Sequence, residues 1–184
     1  RDSLFPVSGL EGHLLRFPLI GMSFGISSIA EIQVDGLSFS RLQIERRFDA
    51  PLAGMVTEAG DSTSSLDDLV VGAKVRLAAE GVSRPGFGVR FATKLPNASN
   101  ESGIGLDTTD FFASMLVAKT VESVRIVGNL GLGILADPTR GDRQNDVLTY
   151  GLSLARRVGD RWALAAGVDG HVDLSGQVHP GTED

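Results

Sequence analysis

The chain has 184 residues, 42% of them hydrophobic and 22% charged, with a net charge of −6 and no cysteine. One domain is therefore expected, without a disulfide framework or a thiolate-bound metal. The acidic balance, with no basic run interleaved with aromatics, argues against a nucleic-acid partner, and no run of 18 uncharged apolar residues suggests a membrane-spanning helix.

The 23 glycines fall inside apolar runs, where each would cost a helix about 1 kcal/mol. The period that recurs is two, which places alternate side chains on opposite faces of a strand. The first such run is 14–26. After Pro18, which suits a strand start or edge, Ile20, Met22, Phe24 and Ile26 oppose Gly21, Ser23 and Gly25. Residues 29–45 place Ile32, Val34, Leu42 and Ile44 against Glu31, Gln33, Asp35, Arg41, Gln43 and Glu45, with a bulge expected at 36–40. In 66–79, Leu69, Val71, Ala73, Val75 and Leu77 oppose Asp68, Gly72, Lys74 and Arg76. In 86–95, Phe87, Val89, Phe91 and Leu95 oppose Gly86, Gly88, Arg90, Ala92 and Lys94.

Residues 109–120 are apolar on both parities, so their faces stay ambiguous. "VRIVGNLGLGI" (124–134) is clear: Val124, Ile126, Leu130, Leu132 and Ile134 share one face, and Arg125, Val127, Asn129, Gly131 and Gly133 the other. In 146–155, Leu148, Tyr150, Leu152 and Leu154 alternate with Thr149, Gly151, Ser153 and Ala155. In 162–174, Trp162, Leu164, Val168, Val172 and Leu174 alternate with Ala163, Ala165, Gly167, Asp169, His171 and Asp173.

These runs make eight strands of about 10–14 residues, long against a usual mode of about 5–6. Short connections (27–28, 80–85, 121–123, 159–160) alternate with long polar ones (49–65, 96–108, 137–145). That alternation, the strand length and a face rich in Gly, Ala and Ser predict an antiparallel, transmembrane, up-and-down β-barrel. One Trp and one Tyr make a thin aromatic girdle. Alternation by itself also permits a soluble β-barrel that binds a small hydrophobic ligand.

A family resemblance adds to this reading. "FATKLPNASNESGIGLDTTDFFASMLVAK" (91–119), "GNLGLGILADPTRGDRQND" (128–146) and "LLRFPLIGMSFGISSIAEIQVDG" (14–36) resemble the outer-membrane transporter family associated with the meta-pathway of phenol degradation. The likeness covers the chain from about residue 14 onward and contains no catalytic motif. It implies a Gram-negative outer-membrane channel, not an enzyme, in contact with outer-membrane lipid and lipopolysaccharide. Its solutes would be small, aromatic or hydrophobic compounds among them, and no cofactor is implied. The family's closing strands do not follow "VHPGTED" (178–184). The expectation is therefore one incomplete barrel domain over 1–184, part of a barrel of ten or more strands, with 1–12 as a loop or plug segment.

The expected lumen wall carries Glu31, Asp35, Lys74, Arg76, Arg90, Lys94, Arg125, Asn129, Asp169, His171 and Asp173. Lys74, Arg76, Arg90 and Lys94 lie on consecutive strands and could form a basic stripe. Glu31 and Asp35 are expected across the lumen from it, setting up a transverse field. The plainer alternative is a set of paired, solvated charges that hold the barrel's shape. Asp169, His171 and Asp173 share one strand face but stand about 7 Å apart, too far for one metal ion unaided. A hydrogen-bond ladder is the expectation there. An outer-membrane lipid-modifying enzyme centred on His171 is the alternative, although no Ser or Cys nucleophile neighbours it. In 136–146, Arg140-Gly141-Asp142 reads as part of a charged loop, and the acidic residues around it lack the order of a calcium-binding EF-hand loop. Asn97 and Asn100 each begin a glycosylation-type triplet without further support.

Overall fold

The structure, a computed structural model, describes residues 2–5, 7–140, 144–159 and 161–174. Among the described residues it is all-β and antiparallel, 65% strand, with no α-helix. Twelve strands are present among the described residues: β1 (Asp2–Phe5), β2 (Leu10–Arg16), β3 (Ile20–Gly25), β4 (Ala30–Leu37), β5 (Phe39–Arg47), β6 (Ser62–Leu66), β7 (Leu69–Ala78), β8 (Gly86–Leu95), β9 (Asp110–Val121), β10 (Val124–Ala136), β11 (Gln144–Val158) and β12 (Trp162–Asp173). Eight form one sheet in the order β12-β11-β10-β9-β8-β7-β4-β3, and the other four form a second sheet ordered β1-β2-β5-β6.

The larger sheet curls into a half-barrel and contains all or part of each of the eight expected runs, in the expected neighbour order. It is open: β3 and β12 each pair with a single neighbour among the described residues. Its register sorts side chains into rows by face. One row runs Val172, Leu148, Leu132, Ala113, Phe91, Ala73, Ile32, Phe24; the opposite face carries His171, Thr149, Gly131, Ser114, Arg90, Lys74, Glu31, Gly25. The small and polar face is the inner one, where curvature crowds neighbours together. There Gly72, Ala92, Gly131 and Gly133 are buried. A Cβ at Gly131 would stand 2.6 Å from the Ala113 carbonyl oxygen and 2.6 Å from the Ser114 Cβ, so a side chain there requires the wall to move.

The smaller sheet corrects the sequence reading in three places. Residues 14–26 and 29–45 are each split between the two sheets. Pro18, with no N–H to donate, follows a break in the first hairpin arm, and Ser38 marks the break in the second. The expected bulge sits at Asp35–Gly36, opposite Gly21. Gly36 has φ +89°, and a Cβ there would stand 2.3 Å from the Asp68 carbonyl oxygen, so glycine admits the start of β7. Residues 1–12, expected as a loop or plug, contain β1 and the start of β2; β1 pairs with β2, and β2 with β5. Residues 62–66, expected inside a loop, form β6 because β5 offers them an edge.

The two largest fully buried side chains, Leu10 and Leu42, belong to this small sheet. Leu10 packs beside the 96–108 connection: a Cβ at Gly103 would come within 2.4 Å of the Leu10 Cδ1 and 3.3 Å of the Val56 Cγ2. The Ser8 hydroxyl donates to the Gly103 carbonyl at 2.7 Å, and the Thr63 hydroxyl donates to the Ser102 carbonyl at 2.7 Å. The small sheet and the 96–108 connection thus form one cap at the long-loop end of the half-barrel.

Candidate functional site: the inner wall of the half-barrel

The inner wall is built by parity. Lys74 and Arg76 come from β7, Arg90 and Lys94 from β8, and Glu31, Gln33 and Asp35 from β4. All face inward, and β4 lies directly beside β7. The residues predicted to face the basic stripe across a lumen are therefore its neighbours. In an up-and-down order the run at 29–45 already neighbours that at 66–79, and the register sets Glu31 directly beside Lys74.

This adjacency makes a ladder of ion pairs. The Lys74 ammonium stands 2.5 Å from the Glu31 carboxylate. Arg90 donates through Nε to the Gln33 side-chain oxygen at 2.7 Å and approaches Asp35 at 3.5 Å. Gln33 in turn donates to Glu31 at 2.8 Å. Lys94 is the most enclosed of the cations. It meets Asp110 at 2.7 Å and Asp68 at 3.4 Å, and donates to the Thr108 hydroxyl at 3.2 Å. Its side chain is 17% exposed, against 10% for Asp110 and 18% for Asp68. Asp68 also accepts the backbone N–H groups of Asn97 and Ala98, tying the 96–108 connection to the wall.

The short-turn end is arranged differently. Glu80, between β7 and β8, accepts the Thr120 backbone N–H at 2.6 Å and the Thr120 hydroxyl at 3.1 Å. It also pairs with Arg125 at 3.3 Å and Lys119 at 3.6 Å. These contacts hold its carboxyl below the ordinary range. The backbone N–H contributes most, with the hydroxyl and the two cations acting in the same direction against partial desolvation. Arg76 donates to the Ser28 carbonyl at 2.6 Å. A hollow of about 560 Å³ lies here, lined among others by Glu31, Lys74, Arg76, Gly88, Leu116 and Arg125.

The remaining predicted wall residues lie away from this group. Asn129 sits over Gly151, where an added Cβ would be 2.5 Å from its Nδ2. Asp169, His171 and Asp173 share the inner face of β12, as expected, opposite Gly151, Thr149 and Val147. They are exposed on the edge strand, five strand spacings from β7, or about 24 Å along the sheet. No three His, Asp or Glu side chains among the described residues are placed to hold a metal ion. Gly141 and Asp142 of the Arg-Gly-Asp loop lie outside the described residues, as does 178–184. Arg140 is described: its backbone N–H donates to Asp137 at 3.2 Å.

Sequence reasoning missed Asp110, Thr108 and Glu80. Asp110 opens β9 and lies within the ambiguous run 109–120. Its parity, shared with Phe112, Ser114, Leu116 and Ala118, is the inward one. Phe112 and Leu116 on that parity masked the alternation. Comparison with protein-family models, with curated proteins and with solved structures returned no match.

Proposed function

We propose that this chain forms wall of an outer-membrane β-barrel that passes small solutes by diffusion along its inner face, as the family resemblance also implies. The observation that carries the reading is the inverted placement of apolar side chains. On β10, Leu130, Leu132 and Ile134 are 56%, 54% and 43% exposed, whereas Gly131 and Gly133 are buried. The same parity stays exposed at Phe91, Phe111, Met115, Tyr150, Leu152, Trp162, Leu164 and Val168. A continuous apolar face of this extent exceeds the few-hundred-Å² patches that soluble monomers tolerate. On β9 it spans Phe111 to Val121, about 34 Å of strand, which at a 45° tilt is a band about 24 Å tall. An outer-membrane barrel presents an apolar band of about 25 Å to lipid.

On this reading the partners of the outer face are outer-membrane lipid and lipopolysaccharide, and those of the inner face are water and a small solute. The first test is cell fractionation, detergent extraction of the envelope, and comparison of boiled with unboiled gel samples. An envelope band whose mobility changes on heating supports the reading; a soluble band indifferent to heating refutes it. In planar bilayers, replacing Lys74, Arg76 and Arg90 together by Ala should shift selectivity toward cations, because Glu31 and Asp35 lose their partners. An unchanged reversal potential would remove these residues from the conduction path.

A further inference from the structure

We infer that the hollow at the short-turn end is a binding subsite for a small monocarboxylate with a compact apolar body, centred on Arg76. The charge balance singles out that residue. The hollow is lined by three cations, Lys74, Arg76 and Arg125, and two carboxylates, Glu31 and Glu80. Lys74 is matched by Glu31 and Arg125 by Glu80. Arg76 lines the same hollow, and its hydrogen bond to the Ser28 carbonyl uses one of the five N–H donors of a guanidinium. It forms no ion pair within 4.0 Å among the described residues. An anion entering the hollow therefore finds one surplus positive charge with planar donors suited to a carboxylate.

The shape of the hollow supplies the second half of the argument. In the register, Arg76 on β7 pairs with Gly88 on β8, and Gly88 pairs with Leu116 on β9. Arg76 and Leu116 thus flank a residue without a side chain, with backbones two strand spacings, about 9–10 Å, apart. The three nearest heavy atoms to a Cβ placed on Gly88 are all backbone. Arg76 reaches toward the β3–β4 turn, away from this gap. Leu116 and Val127, both lining the hollow, give it an apolar side opposite the guanidinium. The result is a slot with a charged end and an oily flank. It fits a carboxylate carrying a short hydrocarbon better than a hydrated inorganic anion, which gains nothing from Leu116, or a neutral alcohol, which leaves Arg76 unmatched.

That a translocating solute meets this slot rests on the channel reading; the slot itself belongs to the fold. The test is titration of the full chain, folded in detergent micelles, with hexanoate, acetate and 1-hexanol, followed by calorimetry and corrected for binding to empty micelles. Hexanoate should bind saturably at one site, at least about tenfold more tightly than either acetate or hexanol. Arg76→Gln should weaken hexanoate about tenfold or more, the loss of a charge-assisted contact. Leu116→Asn should weaken hexanoate while leaving acetate unchanged. Equal binding of hexanoate and acetate, or of hexanoate and hexanol, would overturn the proposal with no variant needed. So would hexanoate affinity unchanged in a folded Arg76→Gln protein. Bilayer conductance in KCl separates the two ideas: conductance without hexanoate binding removes the subsite, and hexanoate binding without conductance removes the channel.

Discussion

Arginine placed on the exposed apolar face distinguishes lipid from water as that face's solvent. Leu130 is the middle residue of β10, which runs Val124–Ala136; it is 56% exposed and pairs with Met115 and Tyr150. Ile134 shares the face and is 43% exposed. It lies four residues, about 14 Å, further along the strand, or about 10 Å in depth at a 45° tilt. In a bilayer, Arg at the midplane costs about 2–4 kcal/mol and near the interface about 0–1. Leu130→Arg should therefore cost about 2–3 kcal/mol more than Ile134→Arg. In water, both are surface substitutions and should fall within about 0.5 kcal/mol of the wild type.

The assay is equilibrium unfolding from lipid vesicles in guanidinium, extrapolated linearly to zero denaturant. The single tryptophan, Trp162, is the reporter, because it is 76% exposed on the same apolar face near the short-turn end. A difference between the two variants below about 0.5 kcal/mol would refute the assignment of this face to lipid. A cost that does not depend on depth would refute it equally, since only a bilayer imposes a gradient along the strand.

The glycines supply a second contrast. A Cβ at Gly128 on the outer face meets nothing within 4 Å, whereas one at Gly131 collides with wall atoms; Gly131→Val should cost about 1–3 kcal/mol and Gly128→Val less than about 0.5, read by the same unfolding assay. Lys94→Met strands the buried Asp110 and the half-buried Asp68 and should cost about 2 kcal/mol, and proteolysis within 96–108 should quicken as Asp68 loses its cation; unchanged cleavage would separate Lys94 from the cap. Glu80 has its carboxyl lowered from an ordinary 4.5, first by the Thr120 backbone N–H. The stabilisation it contributes is thus present above that ordinary value and lost as pH falls through the lower, folded one. Hydrogen exchange at the Thr120 amide should accelerate on acidification through that window, beyond the intrinsic pH effect, and Glu80→Gln should abolish the extra acceleration.

Much of the large sheet is legible in the sequence because its curvature separates residue sizes. "VRIVGNLGLGI" has large side chains on one parity and mostly small ones on the other, and the structure puts the small parity on the crowded inner face. The same logic orders the runs at 86–95, 146–155 and 162–174. Pairing partners are less legible. Residues 39–47 alternate just as 30–37 do, and nothing local in them says that they leave the sheet at Ser38. "STSSL" (62–66) has the composition of a loop and becomes a strand through the edge of β5, with Thr63 buried opposite Leu42. The register between β4 and β7 then decides the electrostatics. The sequence shows Glu31 and Asp35 facing inward, but only the non-local register makes them neighbours of Lys74 and Arg90.

On the proposed channel reading, that register has a consequence for selectivity. Had β4 stood across a lumen from β7 and β8, four cations would face two carboxylates over open water, and the field would act on every passing ion. Adjacency instead matches Lys74 and Arg90 with carboxylates of β4 at or within 3.5 Å, while Asp110 and Asp68 match Lys94. Ion pairs this close present dipoles rather than net charges to the lumen, and their fields fall off faster with distance. The ladder on β4, β7 and β8 therefore fixes the wall's shape more than it selects ions. Discrimination is left to the hollow at the short-turn end, where Gly88 leaves room and Arg76 keeps a charge without a carboxylate beside it. A ligand needs both to be held there, since charge without the slot attracts any anion and the slot without charge any oil.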